Sequence, residues 1–303
     1  MPGAGRVRRP TSSQGNRGRG HPGVAGCGRL PGPAADPAAA RDRRHERASA
    51  RADRLEVDAR LPDRMAATGP RWGCTQCSTR HRIWVGGGEW MSAEERIEHA
   101  RLLYERAVFG GDTSALAEAD RDLNAVEADL ALARGRVMHA RFLAESNEDP
   151  HELALFERAA QLYRTLGDLR GEGESLFWVG TFYQVVRGDN DAAVPVLERS
   201  RELAAEVGDK LTLSYALRHL GIAEHAAGRA EAAREWLEES VRLRREIGFL
   251  PGVAANLVGL AYLAAEEGRR DEALGLVQEA AAIAEASGAQ GIMRQVEQAR
   301  TQM

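Results

Sequence analysis

From Met91 onward, apolar residues recur every three to four positions and charged residues fill the intervening ones. That is the period of amphipathic helices. The pattern predicts helices over about 92–108, 113–131, 133–146 and 151–166, then 172–187, 191–207, 211–227, 231–247, 251–267, 271–287 and 290–303. Ser92, Asp191, Glu231 and Asp271 stand at helix starts, and Ser92 with Glu95 fits a capping box. Gly208, Gly248 and Gly288 follow helices at the position where a left-handed residue is favoured. Pro251 opens its helix, where a missing N–H costs little, whereas Pro195 lies slightly inside its helix and predicts a local distortion.

The same chain repeats itself. Gly208, Gly248 and Gly288 recur at intervals of 40 residues, in step with Ala193/Ala233/Ala273, Leu197/Leu237/Val277, Leu203/Leu243/Ile283 and Gly188/Gly228/Gly268. An earlier copy lies 41 residues upstream, where Gly167-Asp168 matches Gly208-Asp209 and Phe156 matches Leu197. Each copy reads as two helices. A fixed period of this length is the signature of stacked units that bury their apolar faces against their neighbours.

Composition divides the chain near Trp90. Residues 1–90 hold 17 basic and 8 acidic residues, 8 of the 11 prolines and all three cysteines, with no tyrosine or phenylalanine. The remaining 213 residues carry 24 basic and 37 acidic residues, so a leader of net charge +9 precedes a body of −13. A segment so poor in large apolar side chains cannot offset a backbone entropy of about 1–2 kcal/mol per residue, and disorder is the expectation for it. Lys210 is the one lysine against 40 arginines, which points to a GC-rich genome. Nothing resembles a run of about 18 apolar residues or a secretory signal, so a soluble cytoplasmic protein without a membrane segment is expected.

Chemistry is sparse. Cys74-Thr-Gln-Cys77 with His81 supplies three zinc ligands at most, and Cys27 lies 47 residues away with no second CxxC or HxxxH, so no metal site is expected. Basic residues in the leader alternate with Asp36, Asp42, Glu46, Asp53 and Asp58, and no aromatic residue precedes Trp72, which argues against nucleic acid as a partner. In the body, His99, His139, His151, His219 and His225 form no HExxH; no GxSxG occurs and Gly171-Glu-Gly173 lacks the rest of a phosphate loop. Carboxylates such as Glu198, Glu202, Glu235, Glu238 and Glu239 sit among arginines as a solvated helix face. No catalytic residue and no cofactor are expected.

The clearest hairpin reads Ala255-Asn-Leu-Val-Gly259-Leu-Ala-Tyr262, then Ala273-x3-Val277-x2-Ala280. Its neighbours read Leu217-x2-Leu220-Gly221, then Ala233-x3-Leu237-x2-Ser240, and Leu176-x2-Val179-Gly180-x2-Tyr183, then Ala193-x3-Leu197-x2-Ser200. These units resemble tetratricopeptide repeats, whose hairpins carry small residues where helices approach and large ones between. The length of 40 residues exceeds the usual 34 and matches HEAT and armadillo repeats; the hairpin residues favour tetratricopeptide repeats of the long kind found in bacterial regulators. The resemblance implies an all-α solenoid of stacked antiparallel hairpins wound as a right-handed superhelix. It has clear repeats at 172–208, 211–248 and 251–288, two degenerate hairpins over 92–167, and a capping helix at 290–303.

It also implies a concave groove lined by first helices. Transferred slot by slot, that groove comprises Phe177, Thr181 and Gln184, then Tyr215, Arg218, Ile222 and His225, then Asn256, Leu260 and Leu263, with Arg134 and Arg141 from the degenerate copy. Relatives that clamp a peptide's terminal carboxylate use a Lys/Asn/Arg set, of which Arg218 and Asn256 are the counterparts here. A scaffold binding a protein or peptide segment, acidic or through its terminal carboxylate, is the function implied. The alternative is a ligand- or peptide-responsive regulator acting with a separate transcription factor.

Gly86-Gly87-Gly88-Glu89-Trp90 requires GGN-GGN-GGN-GAR-TGG immediately before Met91, a purine-rich run that accommodates a ribosome-binding site. The expectation is that translation starts at Met91 and that residues 1–90 are not normally made. Mass spectrometry of the native protein is predicted to find no peptide from that leader, and leader peptides would overturn the expectation.

Overall fold

The computed structural model describes Ile83–Trp84 and Trp90–Met303. Cys27, Cys74, Cys77 and His81, and with them the question of a zinc site, lie outside the described residues, as does nearly all of the expected leader. Two short strands, β1 (Ile83–Trp84) and β2 (Trp90–Met91), pair antiparallel with Trp84 opposite Trp90. The boundary expected at Trp90 therefore falls inside a strand, built from the aromatic and β-branched residues that favour extended backbone.

Ten α-helices follow among the described residues. They are α1 (Ala93–Gly110), α2 (Ala115–Glu145), α3 (Glu152–Leu166), α4 (Leu169–Thr181), α5 (Asn190–Glu206), α6 (Lys210–Ala226), α7 (Ala230–Glu246), α8 (Leu250–Glu266), α9 (Arg270–Ala286) and α10 (Gln290–Gln302). Each packs chiefly on its neighbours in sequence, the arrangement of an α-solenoid. Ser92 caps α1 as a capping box: its Oγ accepts from the Glu95 N–H at 3.2 Å, and its own N–H donates to Glu95 Oε2 at 2.5 Å. Asp168, Asp189 and Asp209 cap α4, α5 and α6 through their carboxylates. Gly208, Gly248 and Gly288 adopt φ of 67°, 71° and 66°, the left-handed conformation that closes one helix before the next.

The repeat columns are the places where helices meet. Ala193, Ala233 and Ala273 are fully buried, and Leu197, Leu237 and Val277 fill the space beside them. Small residues let the helices of a hairpin approach to about 8–10 Å. At Gly180 an added Cβ would lie 2.6 Å from Leu197 Cγ, and at Gly221 it would lie 3.1 Å from the Ala233 carbonyl oxygen. Hydroxyls stitch successive helices at matching places: Ser200 Oγ donates to the Gly173 carbonyl at 2.7 Å, and Ser240 Oγ to the Ser214 carbonyl at 2.5 Å.

Three expectations are corrected. Residues 113–131 and 133–146 are not two helices but the single 31-residue α2, about 46 Å long at 1.5 Å per residue. No proline or capping residue interrupts it, and Gly135 alone costs only about 1 kcal/mol. Helix α2 pairs with α1 on one side and α3 on the other, so two separate degenerate hairpins are not formed. The distortion expected at Pro195 does not interrupt α5, which runs unbroken from Asn190 to Glu206. An irregularity lies instead at the end of α4, where Phe182–Val186 form a π-helical turn closed by the Arg187 N–H to the Phe182 carbonyl at 3.3 Å. A π turn holds one residue more than an α turn in the same space, which accounts for the 41-residue spacing of this copy against 40 in the others.

Gly135 and Gly275 give opposite predictions. A Cβ at Gly135 would sit 2.4 Å from the ring of fully buried Phe156, whereas nothing lies within 4 Å of one at Gly275. Gly135→Ala is expected to lower the thermal midpoint, an overpacking cost of about 1–3 kcal/mol outweighing the propensity gain. Gly275→Ala is expected to raise it, by the equivalent of roughly 0.5–1 kcal/mol. Thermal unfolding followed by circular dichroism reads both.

Candidate concave site

First helices α4, α6 and α8 turn their adjacent faces toward one cavity of about 280 Å³. Helix α4 contributes Phe177, Trp178 and Thr181; α6 contributes Tyr215, Arg218 and His219; α8 contributes Pro251, Gly252 and Ala255. His139 and Leu143 of α2 close one end, and Ile292 and Gln295 of α10 the other. Arg244 of α7 and Phe249 complete the lining, which contains no acidic side chain.

Aromatic rings form one wall. Phe156 stacks on Trp178 at 5.6 Å between centroids, Trp178 meets Phe177 at 5.1 Å, Phe177 meets Tyr215 at 5.2 Å, and Tyr215 meets Phe249 at 5.8 Å. Arg244 lies over Tyr215 at 4.8 Å and over Phe249 at 5.6 Å, where the negative faces of the rings offset part of the cost of burying its charge.

Arg244 organises the floor. It is 1% exposed and donates to the Gly252 carbonyl at 2.8 Å and to Asn256 Oδ1 at 2.9 Å through Nη1, and to Ser214 Oγ at 3.3 Å through Nε. Arg218 Nη1 shares Asn256 Oδ1 at 3.0 Å and reaches the Ala255 carbonyl at 3.2 Å. Asn256 in turn donates to Ser240 Oγ at 2.7 Å. Arg244 thus has only neutral hydrogen-bond acceptors, and no carboxylate pairs with it among the described residues. Burial pushes its pKa down to about 9, with Tyr215 opposing the shift and the charge of Arg218 adding to it. It remains a cation at neutral pH. Its Nη2 and the hydroxyl of Thr181, another lining residue, are buried without a hydrogen-bond partner among the described residues.

His219 adds a neutral donor and acceptor. Its Nδ1 lies 2.6 Å from Gln184 Oε1, which can only accept, so the proton resides on Nδ1. Gln184 Nε2 donates to Asn190 Oδ1 at 2.8 Å and to the His219 carbonyl at 3.0 Å. Burial first, then the charges of Arg218, Arg244 and His139, hold the His219 imidazole well below its ordinary pKa.

Of the residues expected in the groove, Phe177, Thr181, Tyr215 and Arg218 line the cavity. Arg134 and Arg141 are exposed on α2, and Arg141 stands two residues, about 200° of helix rotation, from His139, which faces the cavity. Gln184 is buried beneath His219, Ile222 belongs to the core, and His225 reaches Glu266 at 2.8 Å. Asn256, Leu260 and Leu263 are buried as well. For the three residues of α8 the reason is register. Anchoring the family motif at Gly259 shifts the slots two residues from the 40-residue column, on which Gly221 corresponds to Ala261. Two residues turn a helix face by about 200°, so α8 presents Pro251, Gly252 and Ala255 instead.

Trp178, Arg244 and Phe249 are not singled out in the sequence, and His219 is weighed there only as a metal ligand. Arg244 carried a legible signal. Its 40-residue counterparts are Ala204 and Ala284, so one arginine breaks a column of small buried residues. Gly252 makes room for it, since a Cβ there would stand 2.9 Å from Arg244 Cδ.

Among the described residues no group of three or more His, Cys, Asp or Glu is placed to hold a metal ion, and no helix is long and apolar enough to cross a membrane. The family model described as Tetratricopeptide repeat matches residues 173–246 and 216–286. No curated protein matches the chain.

The His219 shift has a definite sign. A histidine held neutral in the fold contributes its full stability above its unfolded pKa and loses it as pH falls below about 6.5, because the unfolded chain then binds a proton that the fold refuses. Denaturant titrations from pH 8 to pH 5 are predicted to show wild type losing stability relative to His219→Gln by up to about 1.4 kcal/mol per pH unit below that point.

Proposed function

We propose, from the premise that residues 173–286 are tetratricopeptide repeats, that the chain is a non-catalytic interaction module whose concave cavity seats a partner's peptide segment. Such repeats generally mediate protein–protein interaction. The segment's carboxylate, terminal or from an acidic side chain, faces Arg218 and Arg244.

One observation carries this reading: two guanidinium groups and no acidic side chain line the cavity, and two of its lining residues hold a buried polar atom, Arg244 Nη2 and Thr181 Oγ1, without a hydrogen-bond partner among the described residues. An unsatisfied buried donor costs about 1–3 kcal/mol, so a group that accepts from it and also neutralises charge recovers that loss on binding. Guanidinium groups match a carboxylate with two parallel hydrogen bonds. The wall of Trp178, Phe177, Tyr215 and Phe249 offers flat apolar surface for the side chain next to the carboxylate. The small side chain of Ala255 leaves its part of the α8 side open to a backbone.

The full chain used as bait identifies the segment by mass spectrometry, and calorimetry then measures it as a synthetic peptide. Arg218→Gln is expected to weaken binding at least tenfold, the equivalent of about 1.4 kcal/mol. Neutralising the peptide's carboxylate as an amide is expected to do the same, and the two losses should not add. Unchanged affinity in both cases, with the variant's helical circular dichroism intact, overturns the assignment.

A further inference from the structure

Apolar exposure is concentrated at one end of the stack. Nine of the twelve large hydrophobic residues that are exposed among the described residues lie on α1 and α2. On α2 they are spaced by seven: Leu116, Leu123, Leu130 and Val137, exposed to 43%, 45%, 49% and 53%. Ile97, Tyr104 and Val108 form a second exposed row on one face of α1. A seven-residue apolar repeat sustained along a 31-residue helix is the seam of a helix–helix pair, and the α1 and α3 contacts of α2 leave that seam uncovered. A single stranded leucine in water is ordinary, whereas four in register along a helix mark a partner surface.

The charges beside the seam say what covers it. Four residues after each seam position stand Asp120, Glu127, Arg134 and Arg141, two acids followed by two bases in one row along the helix. Asp120, Arg134 and Arg141 make no ion pair among the described residues, and Glu127 is held by Arg158 at 2.6 Å. In the register that sets Leu130 against the same residue of the other copy and Leu123 against its Val137, a second α2 laid antiparallel brings Asp120 opposite the Arg141 of the other copy and Glu127 opposite its Arg134, with Leu116 at the rim. A parallel pairing sets acid against acid and base against base. The row is therefore self-complementary in one orientation only. Exposed Ala133 and Ala140, next to the seam, allow the close approach that an antiparallel pair needs.

We propose that the chain forms a homodimer about a two-fold axis near Leu130, with α2 of each copy packed antiparallel against α2 of the other along the Leu123–Val137 part of the seam. In a two-fold interface every contact occurs twice, so a row that complements itself is doubly rewarded. Val137 and His139 stand on opposite sides of α2, so the pairing leaves both concave cavities open. The dimer presents two of them, and a partner carrying two segments gains avidity without any new contact. This inference is independent of what the cavity binds.

Sedimentation equilibrium of the full chain across micromolar concentrations tests it. Wild type is expected at twice the chain mass of 32.9 kDa. Leu123→Asp and Leu130→Asp, each checked for unchanged helical circular dichroism, should weaken dimerisation at least tenfold, since like or unpaired charge is then buried twice. Asp120→Arg and Arg141→Glu should each weaken it, and the double variant carrying both should restore it to within a few-fold of wild type. A monomeric wild-type chain, or a dimer indifferent to both leucine substitutions, overturns the proposal. Failure of the double swap to restore association overturns the antiparallel arrangement.

Discussion

Close approach of the two helices of each hairpin is the constraint on which the rest depends. It is met at Ala193, Ala233 and Ala273, fully buried at intervals of 40 residues, and at Gly180 and Gly221, where a methyl group would press on the facing helix. Because each contact is made by a residue with little or no side chain, the distance between helices is set by backbone rather than by rotamers. That fixes the rotation from one hairpin to the next and brings the first helices around one cavity. Where one copy carries an extra residue, the chain absorbs it in a π turn at Phe182–Val186 instead of disturbing the hairpin contact.

Against so regular a background, departures from the pattern are informative. Arg244 occupies a slot that its neighbours fill with Ala204 and Ala284, and three further residues adapt to it: Gly252 by vacating space, Asn256 and Ser214 by accepting its hydrogen bonds. Burying a guanidinium against neutral partners is costly, as its lowered pKa records. Stability alone is better served by the alanine its neighbours have. The repeat thus tolerates a local loss in exchange for a cationic floor, which is what the proposed binding role requires of it.

The number and approximate bounds of the helices over residues 151–303, the capping of α1 by Ser92 and the closing glycines were legible in the sequence, because periodicity and capping are local and chemically specific. The long α2 was not, since a break was inferred from repeat analogy where Ala131-Leu132-Ala133 offers no breaker. Of the expected positions on α4 and α6, Phe177, Thr181, Tyr215 and Arg218 line the cavity, whereas Gln184, Ile222 and His225 lie deeper, a depth that periodicity alone does not encode. Groove positions were misassigned on α8, where the motif and the 40-residue column disagreed and the motif was followed. Arg134 and Arg141 were read as groove arginines because a first helix was assumed at 133–146; the continuous α2 turns them to its outer side. The seam of Leu116, Leu123, Leu130 and Val137 was hidden among other apolar residues until burial separated those facing α1 and α3 from those facing solvent.

A crystal structure of the chain with its bound partner segment is the most direct test of the account. A carboxylate oxygen of that segment is expected within hydrogen-bond distance, about 2.7–3.2 Å, of the Arg218 or Arg244 guanidinium, with the adjoining side chain against Trp178 or Tyr215. A segment seated on the outer faces of the second helices, with Arg244 still bonded only to Gly252, Asn256 and Ser214, would contradict it.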